Sequence, residues 1–320
     1  RRVLFRSKTY RMAIRRLQNK IANNRLSLLF TALYALAITL PTAITTGTIW
    51  VQLAIIAAST LLMVELNNAY ALIREFSRMV SCSFLVLTIA HFQLIYSLEG
   101  SIVQICFIFF YLFLFRSYQN KRSPGWVFYA FMSLGIAGIF FPQIVFLVPL
   151  LWIILFSKVL AGSIKTLTAS ILGYLTPYWI IGGYLVYKDE LSVGYDYIAQ
   201  LTQFEPICIY NQIEFKAYLF FGFLMLLTLV GTIHFLRNSF LDKIKTRMIY
   251  EALMVINIGC IVFLILQQQH YSFLIRLIIV NTSPFIGHFI TLTRTRLTNI
   301  TFIVFTLSAV ALTLYTLWMP

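Results

Sequence analysis

Charged residues are scarce in this sequence. Only 11% of its 320 residues are Asp, Glu, Lys or Arg, whereas 60% are hydrophobic. A soluble domain carries about 25% charged residues, so a chain with half that share cannot cover a surface that faces water. The apolar stretches are continuous and do not alternate with a period of two residues, which excludes a transmembrane β-barrel. The composition therefore predicts an all-α, polytopic helical membrane protein.

Several patterns that carry chemistry are also missing. The sequence has no glycine-rich phosphate loop, no HExxH and no GxSxG. Its cysteines form no CxxC pair, and a cysteine inside an apolar helix behaves as a small hydrophobic residue. We therefore expect no disulfide, no metal and no cofactor, and it stays open whether the protein is an enzyme. The four cysteines are Cys82, Cys106, Cys208 and Cys260.

Long apolar runs predict about eleven transmembrane helices, or ten if 126–157 is a single helix. Such a helix would be about 48 Å long, against a hydrocarbon core of about 30 Å. Pro142 cannot continue a helix unaided, so we predict a tight hairpin there. Residues 67–78 are interpreted as an interfacial helix between the second and third spans. The predicted spans are 27–46, 48–66, 79–97, 101–115, 126–141, 143–157, 166–187, 217–236, 250–267, 271–292 and 299–318.

The basic residues orient this arrangement. With the N-terminus in the cytoplasm, all 25 Lys and Arg residues except Lys188, Lys216 and Arg276 lie on the cytoplasmic side, where such residues are retained. A single helix at 126–157 would destroy this sorting, which favours the hairpin. The formal net charge of +15 is therefore interpreted as an orientation signal, and we expect no nucleic-acid partner.

Residues 1–25 form a distinct basic segment. Ile14, Leu17 and Ile21 recur at helical spacing, with arginine and lysine between them. A helix of this kind lies on a membrane surface and binds anionic lipid headgroups. The predicted organisation is a basic amphipathic helix at 1–25, followed by a single transmembrane domain at 26–320.

One region resembles a known family. An aromatic-rich span with a Phe-Phe-Pro break lies at 115–156, with the sequence FRSYQNKRSPGWVFYAFMSLGIAGIFFPQIVFLVPLLWIILF. A Gly-x-x-x-Pro-Tyr segment follows at 163–179, SIKTLTASILGYLTPYW. Together they resemble a poorly characterised family of polytopic inner-membrane proteins of Bacteroidota. The resemblance implies a bacterial inner membrane, with the periplasm on the outer side, and it brings no catalytic residue with it.

A proline and several glycines share one predicted span in the run GYLTPYWIIGG at 173–183. Pro177 removes a backbone hydrogen bond that a neighbour or cavity water must replace. Broken helices of this kind line substrate sites in transporters. The alternative is a simple kink that packs against small residues such as Gly173.

Polar residues also interrupt the apolar run SFLIRLIIVNTSPFIGHFI at 272–290. Arg276 is predicted one to two turns below the outer surface, where it can snorkel outward or meet a carboxylate or a bound anion. Asn281 falls near the middle of the membrane, and His288 lies nearer the cytoplasm. Because polar groups inside a membrane are candidates for function, we predict Arg276 and Asn281 as substrate-binding residues.

The predicted periplasmic loop 188–216 contains acidic and aromatic side chains. Carboxylates beside aromatic rings can bind a sugar or act as a general base, so Glu190 and Glu205 are further candidate substrate-binding residues. Acidic residues are also what remains when Lys and Arg are excluded from one side of a membrane. A purely topological interpretation of this loop therefore stays open.

Two classes of function are compatible with these patterns. The first is non-enzymatic transport, or a subunit of an envelope assembly, that handles an anionic or amphiphilic, lipid-like substrate. Its partners would be membrane lipids and the protein subunits of an envelope complex. The alternative is a membrane-embedded transferase or polymerase that acts on a lipid-linked glycan at the periplasmic face. The alternative requires the acids of 188–216 and Arg276 to converge on one outward cavity.

Overall fold

A computed structural model describes residues 16–47, 49–204 and 214–318, and every regular element in these ranges is helical. The predicted all-α class is confirmed. Short 3-10 turns join several helices, at Phe92–Tyr96, Phe115–Ser117, Pro142–Leu147, Ser239–Leu241 and Gln268–His270. The α-helices are α1 (Leu17–Ala22), α2 (Ser27–Thr46), α3 (Ile49–Tyr70), α4 (Met79–Ala90), α5 (Leu98–Leu114), α6 (Pro124–Phe140), α7 (Val148–Ser157), α8 (Ile164–Lys188), α9 (Leu191–Leu201), α10 (Phe215–Asn238), α11 (Ile244–Leu266), α12 (Tyr271–Leu292) and α13 (Arg296–Trp318).

Eight helices of the described chain are long and apolar enough to cross a membrane, namely α2, α3, α5, α8, α10, α11, α12 and α13. The chain is therefore a multi-pass helical membrane protein. Three of the eleven predicted spans correspond to shorter apolar segments, which are α4, α6 and Pro142–Ser157. Helix α4 is short because the backbone of His91 (φ −114°, ψ 81°) leaves the helical region directly after Ala90.

The connections at one end of the bundle carry most of the described basic residues, and we call this the basic end. Hydrogen bonds join these connections to one another. Arg294 Nη2 donates to Glu75 Oε1 at 2.8 Å, and Gln119 N donates to Val159 O at 2.9 Å. The basic end comprises residues 16–26, which include α1, and the connections 71–78, 115–123, 158–163, 239–243 and 293–295.

The opposite end holds the remaining described connections. Gln143 Nε2 donates to Gln200 O at 3.1 Å, and Gln93 Nε2 donates to Glu214 Oε2 at 2.8 Å. The hydrogen bond from Gln93 holds the pKa of the Glu214 carboxyl below its ordinary value. The opposite end comprises 91–97, 141–147, 189–204, 214 and 267–270.

The predicted hairpin at Pro142 is present. Helix α6 ends at Phe140, and the chain continues as a 3-10 turn into α7. The hydrogen bond between Gln119 N and Val159 O, 2.9 Å long, joins the residues just before α6 to those just after α7. Both ends of the 124–157 segment therefore lie at the basic end.

Helix α12 forms the centre of the bundle. Every residue from Leu274 to Thr291 is buried, and α4, α5, α10 and α11 pack around it. A helix that does not face lipid can carry polar groups, because neighbouring helices supply their partners. The polar residues of the 272–290 run are therefore internal contacts of the protein.

Helices α6 and α8 cross in backbone contact. Helix α8 continues through Pro177 without a break. A Cβ added to Gly173 would overlap the carbonyl oxygen of Phe128, and one added to Gly135 would overlap the carbonyl oxygen of Tyr174. Small residues allow this close approach of two helices. The geometry thus favours packing as the role of Gly173 and Pro177.

The predicted interfacial helix at 67–78 is wrong. Helix α3 runs on to Tyr70, and the chain from residue 71 to 78 is an irregular turn. Asn67 stabilises that turn because its Oδ1 accepts from Ile73 N at 3.2 Å and its Nδ2 donates to Ser77 O at 3.1 Å. Ala71 adopts a left-handed conformation (φ 46°) that ends the helix.

The segment 188–216, predicted as a loop, contains helix α9. None of the α9 residues is buried, and Leu191, Tyr195 and Ile198 are exposed apolar residues. Their spacing places them along one side of the helix. A short amphipathic helix of this kind lies in the membrane interface. Residues 205–213 lie outside the described part of the chain.

Of the predicted basic helix at 1–25, only the end falls within the described residues, and 1–15 lie outside them. Helix α1 packs against the C-terminal end of α12. Gln18 is buried, and its Nε2 donates to Ile290 O at 2.7 Å and to Thr293 Oγ1 at 2.6 Å. Its side chain thus caps the Ile290 carbonyl, one of those that the end of a helix leaves without a partner.

Replacing Gln18 by leucine is expected to destabilise the protein by about 1–2 kcal/mol, because two buried acceptors lose their donor. Cys82, Cys106 and Cys260 are free and buried, so thermal unfolding in detergent can be followed with a thiol-reactive fluorescent dye. Lys20→Gln is the matched control on an exposed position of the same helix and should leave the melting temperature unchanged. Equal melting temperatures for both variants would contradict the capping role.

Candidate functional site

Arg276 lies inside the bundle and has no exposed surface. The space for its guanidinium comes from Gly100, where an added Cβ would lie 2.5 Å from Arg276 Nε. All of its described hydrogen bonds go to neutral oxygens, at up to 3.4 Å. The acceptors are the carbonyls of Leu94, Ser97 and Ser272 and the side chains of Ser101 and Gln104.

These bonds attach the connection between α4 and α5 to the central helix. The 3-10 turn Phe92–Tyr96 directs the carbonyls of Leu94 and Ser97 toward α12, and in a membrane such acceptors need a partner. The guanidinium of Arg276 supplies it. Among the described residues, Arg276 contacts no carboxylate, and its guanidinium does not reach the surface, so the predicted outward snorkelling is not observed.

A polar network lies near the middle of α12. Tyr111 donates to Asn281 Oδ1 at 2.5 Å. One residue further along, Thr282 Oγ1 accepts from Asn257 Nδ2 at 3.2 Å and lies 2.8 Å from Thr228 Oγ1. Asn281 Nδ2 and Asn257 Oδ1 are buried without a described hydrogen-bond partner. The network thus ties α5, α10 and α11 to α12.

A buried histidine–carboxyl pair lies at the basic end of α12. His288 Nε2 is 3.0 Å from Asp242 Oδ2, with side-chain exposures of 0% and 2%. His288 Nδ1 lies 3.4 Å from His234 Nδ1. Sequence reasoning overlooked Asp242 and His234. The available signal was that Asp242 is the only acidic residue in the basic stretch 237–247.

The three predicted substrate-binding residues that fall within the described part of the chain do not converge. Arg276 and Asn281 share α12, but five residues separate them, which is about 7.5 Å along a helix. Glu190 is exposed at the beginning of α9, and Glu205 lies outside the described residues. Arg276 is thus buried, Glu190 is exposed, and no described ion pair links them.

An apolar cavity of about 480 Å³ opens between α2, α4, α10, α12 and α13. This volume falls in the range of about 300–1,000 Å³ that is typical of small-molecule sites. The cavity extends from the basic end to the middle of the bundle. Its walls are the first two turns of α2, most of α4, the last turns of α12, and the middle of α10 and α13. Its lining includes Asn24, Phe30, Tyr34, Cys82, Val86, Phe223, Ile286, Ile290, Phe302 and Val310.

The hydroxyl groups that line the apolar cavity are mostly occupied by other partners. Thr31 Oγ1 donates to Leu28 O at 2.9 Å, and Thr306 Oγ1 donates to Phe302 O at 2.8 Å. Tyr34 donates to a threonine hydroxyl of α13 at 2.9 Å. The cavity therefore presents a largely apolar wall, which fits a hydrocarbon chain better than a polar solute.

Comparison with protein-family models, with curated proteins and with solved structures gives no match for this chain. The function of the chain is therefore inferred from its geometry and its sequence patterns.

Proposed function

We propose that this chain is a multi-pass protein of a bacterial inner membrane that binds the apolar chain of an anionic amphiphile and moves it, or passes it to a subunit of an envelope assembly. The observation that carries this proposal is the apolar cavity. It lies within the membrane-spanning part of the bundle, and its walls suit hydrocarbon.

The charges beside the apolar cavity support an anionic headgroup. Asn24 lines the cavity, and Arg25 follows it on the exposed turn between α1 and α2. Lys20 is exposed on α1 nearby in sequence. A basic residue near a membrane surface attracts anionic lipids by about 1 kcal/mol. A molecule with a hydrocarbon chain in the cavity and a negative group at these residues satisfies both environments.

The distribution of basic residues supports binding from the cytoplasmic leaflet. Basic connections are retained in the cytoplasm, so the basic end, and with it the apolar cavity, faces the cytoplasmic leaflet. The resemblance of 115–156 and 163–179 to inner-membrane proteins of Bacteroidota supports the choice of membrane. A transferase at the periplasmic face receives no comparable support, because Arg276 is occupied by neutral acceptors.

Photo-crosslinking tests the proposal. Phosphatidic acid with a diazirine in its acyl chain is incorporated into vesicles of phosphatidylethanolamine and phosphatidylglycerol that contain the full chain. We expect crosslinks to peptides from α2, α4 and α13. Val86→Trp fills the apolar cavity and should reduce this labelling about tenfold, equivalent to about 1.4 kcal/mol of binding free energy.

The control is Leu61→Trp, which adds the same side chain on an exposed face of α3 and should leave the labelling unchanged. Equal labelling of the Val86→Trp and Leu61→Trp proteins would show contact with bulk lipid only, and the proposal would be wrong. Arg25→Gln should weaken labelling by phosphatidic acid and leave labelling by a zwitterionic probe unchanged.

A further inference from the structure

We propose that Asp242, His288 and His234 form a proton-binding site at the basic end of the bundle, and we call these three residues the histidine–aspartate site. The proposal does not depend on the apolar cavity or on the ligand of that cavity. It is carried by the burial of Asp242 and His288, by their separation of 3.0 Å, and by the second histidine at 3.4 Å.

The burial of the Asp242 carboxylate sets the charge of the site. Among the described residues, His288 is its only cationic partner within ion-pair distance. An uncompensated charge inside a protein costs several kcal/mol. The pair is neutral either as a carboxylate with an imidazolium or as a carboxylic acid with an imidazole. Both forms hold one proton more than a carboxylate beside a neutral imidazole.

His234 gives this proton a route. Its ring is partly exposed, and its Nδ1 faces His288 Nδ1, so one of these two nitrogens donates and the other accepts. A proton that binds His234 Nε2 releases the proton on His234 Nδ1 to His288 Nδ1. His288 then carries protons on both nitrogens, and its Nε2–H donates to Asp242. His234 is left neutral, with its proton on Nε2.

The surroundings of the histidine–aspartate site contain few other titratable groups. Arg237 on α10 and Arg74 on the turn after α3 are close enough to act on His234, but both are exposed and are screened by solvent. Tyr250 on α11 packs edge-on against His288 with ring centroids 5.4 Å apart. The remaining described ring contacts of His288 and His234 are with Phe235 and Phe289.

The position of Asp242 couples the proton to a movement. Asp242 lies on the connection between α10 and α11, whereas His288 lies on α12. If the proton leaves, a net negative charge stays buried unless Asp242 moves into water. Proton release and undocking of the 239–243 connection are therefore linked equilibria. Histidine is the side chain suited to such a change near neutral pH.

Distance measurements between two spin labels by double electron–electron resonance test the proposal in the full chain in nanodiscs. Spin labels are placed at Phe240 and Leu297, which are both exposed, after the native cysteines are replaced by alanine. We expect a single short distance at about pH 5 and a growing population with a longer distance toward about pH 8. A distance distribution that is the same at both pH values would overturn the proposal without any further variant.

Two variants test whether the histidine–aspartate site causes the pH dependence of this distance. Asp242→Asn keeps a hydrogen-bonding side chain and removes the buried charge, so the short distance should persist at both pH values. Glu251→Gln is the control, because Glu251 is a partly exposed carboxylate paired with Lys158 at 2.5 Å; it should show the wild-type pH dependence. If Asp242→Asn retains the wild-type pH dependence, or Glu251→Gln abolishes it, the histidine–aspartate site is not the origin.

Discussion

Replacing Arg276 by methionine is expected to destabilise the fold by about 3 kcal/mol. The carbonyls of Leu94 and Ser97 lose a buried donor, and each acceptor left unsatisfied costs about 1–3 kcal/mol. The variant no longer buries a charge, which offsets part of this loss. The thiol-reactive dye reports the change as a lower melting temperature, since the described free cysteines are buried.

Arg276→Lys separates hydrogen bonding from volume and charge. Lysine carries the same charge, but it lacks the planar fork that reaches Ser101 and Leu94 at the same time. Its melting temperature should therefore lie between those of wild type and Arg276→Met. If Arg276→Met is as stable as wild type, Arg276 does not hold the α4–α5 connection, and a role in substrate binding becomes the better explanation.

Gly173→Leu is expected to have an even larger effect, of at least about 3 kcal/mol, the upper end of the usual cost of overpacking. The atom that a side chain at Gly173 would meet is the backbone carbonyl of Phe128, which cannot rotate away as a side chain can. Helix α8 packs on the bundle chiefly through α6. We therefore expect α8 to separate from α6, with a lower yield and increased proteolysis of 158–163.

Gly182→Leu is the matched control, because it lies on the same helix and an added Cβ there meets no atom within 4 Å. It should insert and melt like the wild type. If both leucine variants behave alike, the loss does not come from the α6–α8 crossing, and the close approach at Gly173 is not required for stability.

The sequence was sufficient for the all-helical class and for the eight long apolar helices, because hydropathy is averaged over long segments. The break at Pro142 could be predicted for two reasons. One helix at 126–157 would be longer than the membrane is thick, and it would place the later basic residues on the opposite side of the membrane. The turn at 71–78 could not be predicted, because it depends on one side chain, Asn67, that bonds residues six and ten positions ahead. Helix α9 was overlooked because it is only 11 residues long and Ser, Gly, Asp and Gln interrupt its apolar residues.

The partners of the polar residues could not be read from the sequence either. Position 276 indicated a buried or interfacial charge, but four of its five described acceptors come from the α4–α5 connection and the first turns of α5, 172 to 182 residues earlier in the chain. The same applies to His288, whose partner Asp242 lies 46 residues away. Hydropathy does not record which helices are neighbours, so it identifies a polar residue without identifying its function.

The central position of α12 has a consequence for biosynthesis. An isolated helix with Arg276, Asn281 and His288 would enter lipid at a cost, since an arginine alone costs about 2.5–3.5 kcal/mol at the centre of a bilayer. Apart from the Ser272 carbonyl of α12 itself, the described hydrogen-bond partners of these three residues lie on α5, on α10 and on the α4–α5 and α10–α11 connections, and all of these are synthesised before α12. The ribosome thus delivers α12 only after its binding groove has entered the membrane. A truncated chain that ends before residue 271 would expose that unfilled groove to the quality-control proteases of the membrane.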